Sequence, residues 1–276
     1  MKIENILITG GTGFIGRNLI KWLDKKYNIA VISRSNKKEK GFVLGDLMDV
    51  NSLKKAFKNV DLVIHLAFSK NYPENIIMAR NLVELSKKNK INRIILVSSM
   101  AAKRDCPDNY GKTKQEVEKI IINSGINYTI LRPSIIYGKG STSFNFMINY
   151  IKKLPFVPII GSGKYKIYPV HIEDVVWAIE KSIYNGNNKE YDLPGADSIY
   201  FIGLINELKR QLNIKKPNIK IPVFFCKIIS LILPKILSKE NIKNLTQNSL
   251  ADIENSKEDL GYNPRKFQEG VKNGIL

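Results

Sequence analysis

The stretch that decides the fold is Ile6-Leu7-Ile8-Thr9-Gly10-Gly11-Thr12-Gly13-Phe14-Ile15-Gly16. Its first four residues predict a short buried strand, and residues 17–25 continue with apolar side chains at helical spacing. A helix that starts directly after a glycine turn presents unpaired backbone N–H groups to phosphates. Glycines permit the tight turn and let the backbone approach a pyrophosphate closely. The stretch therefore predicts a dinucleotide site built on Gly10, Gly13 and Gly16 or on Gly11, Gly13 and Gly16.

Outward from this unit, strand-like and helix-like segments alternate as far as Gly138. Apolar runs predict strands at 29–32, 42–44, 61–67, 93–97 and 128–131, with helices at 50–57, 75–89 and 110–123. This order predicts an α/β fold with a doubly wound parallel sheet.

Beyond Gly138 the alternation weakens, and the pattern predicts a smaller, mostly helical C-terminal lobe that binds substrate. We therefore expect a dinucleotide-binding domain at 1–138 and a substrate lobe at 139–276, with 167–185 packing back onto the first domain. Helices are predicted at 143–153, 173–184 and 199–212, and 154–166 is predicted to be a loop.

Composition limits the partners. The 276 residues include 44 Lys and Arg against 25 Asp and Glu, a net charge of +19. Because the lysines are scattered, we expect a solvated basic surface and no nucleic-acid partner. The two cysteines, Cys106 and Cys226, have neither metal-ligand nor disulfide spacing, which predicts no metal site. Their scarcity and the lack of a signal-like start favour a cytoplasmic location.

The segment 221–238 is apolar, carries lysines and is interrupted by Pro222 and Pro234. The prolines favour a lid or core helix over the substrate pocket. Contact with a membrane or a lipid-linked substrate is the alternative.

Two strand ends bear on the nucleotide. Strand 29–32 ends at Ser33-Arg34-Ser35, without an acidic residue. An acid there favours the free 2′-hydroxyl of NAD, whereas an arginine accommodates the 2′-phosphate of NADP. Arg34 therefore predicts NADP, with NAD as the alternative. Asp46, after strand 42–44, is expected near the adenine edge.

A reactive pair follows at Tyr110 and Lys114, which lie one helical turn apart on one face. An ordinary tyrosine, with a pKa of about 10, is a poor base at neutral pH. A neighbouring lysine ammonium favours the phenolate, so the pair can exchange a proton with a substrate hydroxyl or carbonyl. A serine at the end of strand 93–97, Ser98 or Ser99, can orient the same oxygen.

These residues resemble the extended or atypical short-chain dehydrogenase/reductase superfamily, in its NAD(P)-dependent epimerase/dehydratase-like group. The motifs that carry the resemblance occur in family order: Thr9–Gly16, Gly45–Leu47, His65–Ala67, Val97–Ser99, Tyr110–Lys114, Leu131–Pro133 with Tyr137-Gly138, and Val170–Val175.

The resemblance implies a catalytic triad of Ser99, Tyr110 and Lys114, with Ser98 as the alternative serine. It also implies that Lys114 holds the nicotinamide ribose. The other implied cofactor residues are Gly10, Gly13, Phe14, Ile15, Gly16, Arg34, Asp46, Leu47, Leu66, Ala67 and Pro133. The implied activity is that of an NAD(P)-dependent reductase or epimerase on a sugar nucleotide, specifically a 4-keto-sugar reductase of surface-polysaccharide synthesis. Homodimers through the Tyr110 helix are common in this superfamily.

Two departures bear on the substrate. Ile135 stands where many nucleotide-sugar members carry an asparagine, and Lys164 and Lys166 stand near the place of a pyrophosphate-binding arginine. The stretch 168–174 also resembles the non-catalytic NAD(P)H-binding subunit associated with respiratory complex I. A binding subunit or redox-sensing scaffold is therefore the alternative to an enzyme.

Overall fold

The computed structural model describes residues 2–103, 108–226, 248–249 and 251–272. The strands are β1 (Asn5–Thr9), β2 (Asn28–Ser33), β3 (Phe42–Leu44), β4 (Leu62–His65), β5 (Arg93–Val97), β6 (Asn127–Pro133), β7 (Ile136–Tyr137), β8 (Val157–Ile160), β9 (Lys166–Ile167), β10 (Val170–His171), β11 (Lys189–Leu193), β12 (Ile199–Tyr200) and β13 (Asn218–Ile221). The helices are α1 (Phe14–Leu23), α2 (Val50–Leu53), α3 (Tyr72–Lys88), α4 (Asn109–Ile122), α5 (Thr142–Lys153), α6 (Ile172–Lys181), α7 (Phe201–Gln211), α8 (Glu254–Leu260) and α9 (Phe267–Lys272), with a 3₁₀ turn at Met100–Lys103.

The main sheet has seven parallel strands in the order β11-β6-β5-β4-β1-β2-β3. The predicted doubly wound parallel sheet is confirmed. Helices α1 and α6 pack together on one face of the sheet, and α3 and α4 pack on the other. Side chains alternate accordingly, since Ile6 and Ile8 enter the core under α1 and α6 while Leu7 enters the opposite core.

The seventh strand, β11, was not predicted from the sequence. It lies in the range 139–276 and pairs with β6, so the chain returns to the sheet after α6. Its sequence Lys-Glu-Tyr-Asp-Leu lacks an apolar run because the first two residues are exposed at the edge of the sheet. The domain division at residue 138 stays a prediction.

The C-terminal lobe has its own core, which includes α5, α7 and α9. The prediction of a loop over the whole of 154–166 was wrong, because β8 forms a parallel pair with β13. The helix predicted at 199–212 is observed as α7, which begins at Phe201, two residues later than predicted. The two preceding residues form β12, which pairs antiparallel with β9. The predicted helix at 50–57 continues as turns after Leu53.

The end of the described chain is anchored back onto the sheet layer. The Arg265 side chain donates to Asp174 at 3.0 Å and to Glu173 at 2.8 Å, both in the first turn of α6. The Tyr262 hydroxyl donates to the Pro194 carbonyl at 2.8 Å. The lobe is thereby held at the carboxyl ends of the strands.

Of the predicted lid segment 221–238, residues 227–238 lie outside the described residues. In the described part of the chain, no helix combines the length and the apolar character needed to cross a bilayer.

Candidate active site

The glycine turn is sterically restricted to glycine at two positions. Gly10 has a φ of +71°, and a Cβ there would lie 2.6 Å from the backbone nitrogen of Ala67. A Cβ on Gly16 would lie 2.5 Å from the Gly10 carbonyl oxygen. A Cβ on Gly11 would instead meet the Val31 side chain at 2.4 Å, on the β2 side. Gly10, Gly13 and Gly16 border the cleft and Gly11 does not, while the choice of glycines that contact a nucleotide stays a prediction.

Helix α1 begins after Gly13 without a side-chain cap. The first N–H groups of a helix have no partner within the helix, and the positive end of its dipole favours an anion. Because Gly13 also leaves the backbone uncovered, this terminus fits the pyrophosphate of a dinucleotide.

A cleft of about 870 Å³ opens at the carboxyl ends of β1, β4, β5 and β6. It brings together most of the predicted site residues, namely Gly10, Gly13, Phe14, Ile15, Gly16, Leu66, Ser98, Ser99, Tyr110, Lys114 and Pro133. Ligands in open α/β sheets bind at this edge. Ile135 lies on the same wall.

Four predicted cofactor residues do not line this cleft. Leu47 is buried in the core beside α3, and Ala67 donates its N–H to the Thr9 hydroxyl at 3.3 Å. An Asp46 carboxylate oxygen accepts the N–H of Met48 at 2.9 Å. Arg34 is exposed beyond the end of β2. Contact between these residues and a nucleotide stays a prediction.

Lys114 is the buried charge of the site. Its side chain comes from α4, it is 5% exposed, and Nζ donates to the Val97 carbonyl at 3.1 Å. The Nζ atom lies 4.6 Å from the centre of the Phe68 ring and 5.9 Å from that of Tyr110. The two rings meet edge to face, with centroids 5.0 Å apart. Burial lowers the pKa of Lys114 to about 8, against an opposing effect from Glu118.

His65, predicted to be structural, sits behind this lysine. The side chain is buried, and Nδ1 lies 2.7 Å from the Thr9 hydroxyl across the β1–β4 pair. Burial, and then the Lys114 charge, lower the pKa of His65 to about 3. The neutral His65 imidazole therefore links β4 to β1 through the Thr9 hydroxyl.

The two candidate serines differ in their surroundings. Ser98 is 4% exposed, and its hydroxyl has no hydrogen-bond partner among the described residues. The Ser99 hydroxyl accepts the Ala101 N–H at 3.2 Å, at the start of the 3₁₀ turn. Both border the cleft, so the choice between them stays a prediction.

Sequence reasoning missed two residues in the wall of the cleft. Phe68 follows the His65-Leu66-Ala67 motif, but no periodicity marked it as a ring beside Lys114. Asp192 is buried on the unpredicted strand β11, where its carboxylate accepts from Lys103 Nζ at 2.8 Å and from the Asp252 N–H at 3.3 Å. Detecting this strand from sequence would have placed Asp192 at the site.

Comparison with known proteins bears on the family and the fold. The profile of the NAD dependent epimerase/dehydratase family matches residues 6–193. A UDP-glucose 4-epimerase of Vibrio cholerae is 26% identical over 98% of this chain and 94% of its own. The mitochondrial NADH dehydrogenase [ubiquinone] 1 alpha subcomplex subunit 9 of Dictyostelium discoideum is 28% identical over 81% of this chain and 68% of its own.

Solved structures share the fold. A UDP-glucose 4-epimerase from Thermotoga maritima, crystallised with UDP-glucose, superimposes with a TM-score of 0.78 at 23% identity, over 98% of this chain and 97% of its own. A dTDP-glucose 4,6-dehydratase from Bacillus anthracis, in complex with NAD, gives a TM-score of 0.80 at 18% identity, over 99% of this chain and 95% of its own.

Proposed function

Since the chain belongs to the NAD dependent epimerase/dehydratase family, we propose that it is an NAD(P)-dependent reductase or epimerase of a sugar nucleotide. The specific reaction we propose is reduction of a 4-keto-sugar nucleotide. The observation that carries the proposal is the buried Lys114 ammonium beside the Tyr110 ring, in the cleft that the glycine turn borders.

The nucleotide half of the cleft suits NAD(P). The glycine turn has no room for a Cβ at Gly10 or Gly16, so its backbone can approach a pyrophosphate closely. The uncapped start of α1 supplies N–H groups that can bind the pyrophosphate. Bound NADPH supplies a hydride for reduction of a carbonyl carbon. Arg34 is our candidate for the 2′-phosphate contact, because it is an exposed cation at the end of β2.

The proton chemistry is assigned to residues of this chain. Tyr110 gives a proton to the substrate oxygen as hydride arrives at the adjacent carbon, or takes it in the reverse direction. Lys114, whose pKa of about 8 leaves it mostly charged at neutral pH, stabilises the phenolate that remains. A serine hydroxyl, Ser99 or Ser98, donates to the same oxygen and orients it.

The sugar-nucleotide substrate rests on the relatives and on the cleft. A UDP-glucose 4-epimerase matches nearly the whole chain, and an Escherichia coli O157:H7 epimerase of an N-acetylglucosaminyl-diphospho-undecaprenol matches 79% of it. The volume of about 870 Å³ lies within the range of small-molecule sites, roughly 300–1,000 Å³. The far wall comes from the C-terminal lobe and includes Tyr165 and Phe201.

The proposal is tested by following NADPH oxidation with a panel of 4-keto-sugar nucleotides. We expect Tyr110→Phe to lower kcat by about 10²–10⁴-fold, the usual contribution of a general acid–base group. Tyr184→Phe is the matched control. Tyr184 is exposed, and its hydroxyl donates to the Ile3 carbonyl at 3.4 Å, just before β1 and at the opposite end of the sheet from the cleft. Equal turnover by wild type and Tyr110→Phe would exclude the proposed role.

A second candidate is a nucleotide-binding subunit without turnover. The matches to complex I subunits of Dictyostelium discoideum and Arabidopsis thaliana favour it, as does Ile135 on the cleft wall in place of a sugar-binding asparagine. Tight NADPH binding by calorimetry, with no oxidation across the substrate panel, would support this candidate against the enzyme.

A further inference from the structure

The small sheet of β8 and β13 carries apolar residues on both faces. Val157 and Ile159 point inward and are fully buried in the core of the C-terminal lobe. Successive side chains alternate across a strand, and the parallel register sets Ile219 beside Pro158 and Ile221 beside Ile160. The outward face therefore consists of four apolar residues that are not buried: Pro158, Ile160, Ile219 and Ile221. A strand with one solvated face ordinarily carries polar residues there.

Exposed aromatic residues extend this face on two sides. Phe224 and Phe225 come three and four residues after the end of β13 and are 67% and 56% exposed. On α5, Phe146 is 73% exposed and stacks on Tyr150, whose hydroxyl donates to the Pro158 carbonyl at 3.2 Å. We define the outer apolar patch as the four outward residues of β8 and β13 together with Phe146, Phe224 and Phe225.

The segments that form the patch contain no acidic residue. Residues 139–172 and 208–226 hold no Asp or Glu, although the chain has 25 in all. Each segment carries five lysines or arginines: Lys139, Lys152, Lys153, Lys164 and Lys166 in the first, and Lys209, Arg210, Lys215, Lys216 and Lys220 in the second. The segments meet where Lys216 Nζ donates to the carbonyls of Ile151 and Lys152, which brings Lys152, Lys153, Lys215 and Lys216 into one region of the surface. Arg210 is instead paired with Glu207, the residue just before the second segment.

Apolar and aromatic side chains amid cations, without acids, match the chemistry of an anionic lipid surface. Aromatic and aliphatic side chains enter the headgroup boundary, while lysine side chains are attracted to an anionic leaflet. A second copy of the chain is a poor occupant, because a two-fold contact would oppose the same lysines to each other. We propose that the outer apolar patch docks the protein onto an anionic phospholipid bilayer.

The docking face adjoins the cleft. A smaller cavity of about 280 Å³ lies between them, lined by Ile160 from the patch and also by Tyr165 and Asn248. Tyr165 and Asn248 line the large cleft as well. A docked molecule would therefore hold its cleft close to the lipid headgroups. The sequence pattern of 221–238 predicts a lid or core helix, whereas the exposure of Phe224 and Phe225, in the described part of this segment, favours the lipid surface.

The test is co-sedimentation of the full chain with vesicles of phosphatidylcholine, with or without phosphatidylglycerol. We expect binding only to vesicles with phosphatidylglycerol, and weaker binding in high salt. Phe224→Ser with Phe225→Ser should lower the partition coefficient about tenfold or more, because two large apolar side chains lose their burial. Ile77→Asn is the control for loss of an exposed apolar residue, since Ile77 lies on α3 of the main domain.

The charges are tested with two triple variants of equal net charge. Lys152, Lys153 and Lys215, all exposed where the two segments meet, are changed to Gln in one variant. Lys54, Lys55 and Lys87, exposed on the main domain, are changed to Gln in the other. The first should lower partitioning on the order of 100-fold in low salt, since each lysine contributes about a factor of five.

Several outcomes would overturn the proposal. These are no binding to phosphatidylglycerol vesicles, equal loss in both lysine variants, and unchanged binding in the phenylalanine variant. A wild type that sediments as a dimer, and as a monomer only when Phe224 and Phe225 are replaced, would assign the patch to a second copy. Circular dichroism of each variant checks that it is folded.

Discussion

Replacing Lys114 by Met should make the protein more stable and less active. The side chain is buried, and burial lowers its pKa from 10.5 to about 8. A pKa shift of one unit corresponds to about 1.4 kcal/mol, so holding this lysine charged at pH 7 costs roughly 3 kcal/mol. Met has a similar length and no charge to desolvate.

Part of the gain is lost with the contacts of the ammonium. The Val97 carbonyl loses its 3.1 Å partner, and the Phe68 ring loses a cation at 4.6 Å, which together offset about 1–2 kcal/mol. We therefore expect Lys114→Met to raise the free energy of unfolding by about 1–2 kcal/mol. Turnover should fall by about 10²-fold or more, because the phenolate of Tyr110 loses its stabilising charge.

The assay is urea unfolding of wild type, Lys114→Met and Lys112→Met, the last being an exposed lysine on the same helix. The sign with pH follows from linkage. The unfolded chain binds the Lys114 proton more tightly, so this residue's contribution to stability rises between pH 8 and pH 10.5. That rise should be absent in Lys114→Met. A Lys114→Met protein less stable than wild type would refute the burial argument.

Three further substitutions, two of them with matched control substitutions, test the glycine turn, the nucleotide preference and the Arg132 ion pair. Gly10→Ala should destabilise the fold and abolish nucleotide binding, because its Cβ meets backbone, while Gly203→Ala on α7, with open space around it, should stabilise by up to about 1 kcal/mol in thermal unfolding. Arg34→Gln should raise the KM for NADPH and leave that for NADH unchanged in steady-state assays; a parallel change in both would remove the assignment. Glu118→Gln should cost about 1–2 kcal/mol, because Arg132 loses one charged bidentate partner at 2.7–2.9 Å but keeps its ion pair with Glu190. Glu116→Gln, in an exposed ion pair, should change stability by less than about 0.5 kcal/mol.

The central strands of the main sheet were predictable because they are buried on both faces. Residues 61–67 and 93–97 are nearly continuous apolar runs, as parallel sheets require. Strand β11 escaped prediction because its polar residues are satisfied by partners distant in sequence. Lys189 pairs with Asp259, and Asp192 pairs with Lys103. Likewise β8 is stabilised by pairing with β13, which no local pattern signals.

The sequence predicts those contacts of the site that are made between residues on the same helix. Tyr110 and Lys114 share a helix, so their proximity follows from helical geometry. The serine was ambiguous, because the choice depends on which way each hydroxyl points at the end of β5. The burial of Lys114 against Phe68 needs two segments brought together by the fold, and sequence alone gave no sign of it.

Transfer of deuterium from NADPH labelled at the transferable C4 position to a 4-keto-sugar nucleotide tests the central claim most directly. Mass spectrometry of the sugar should show one deuterium with wild type and with Tyr184→Phe, and almost none with Tyr110→Phe over the same time. If the protein binds NADPH but the sugar stays unlabelled, or if Tyr110→Phe labels it as fast as wild type, the account of this cleft as a reductase site is contradicted.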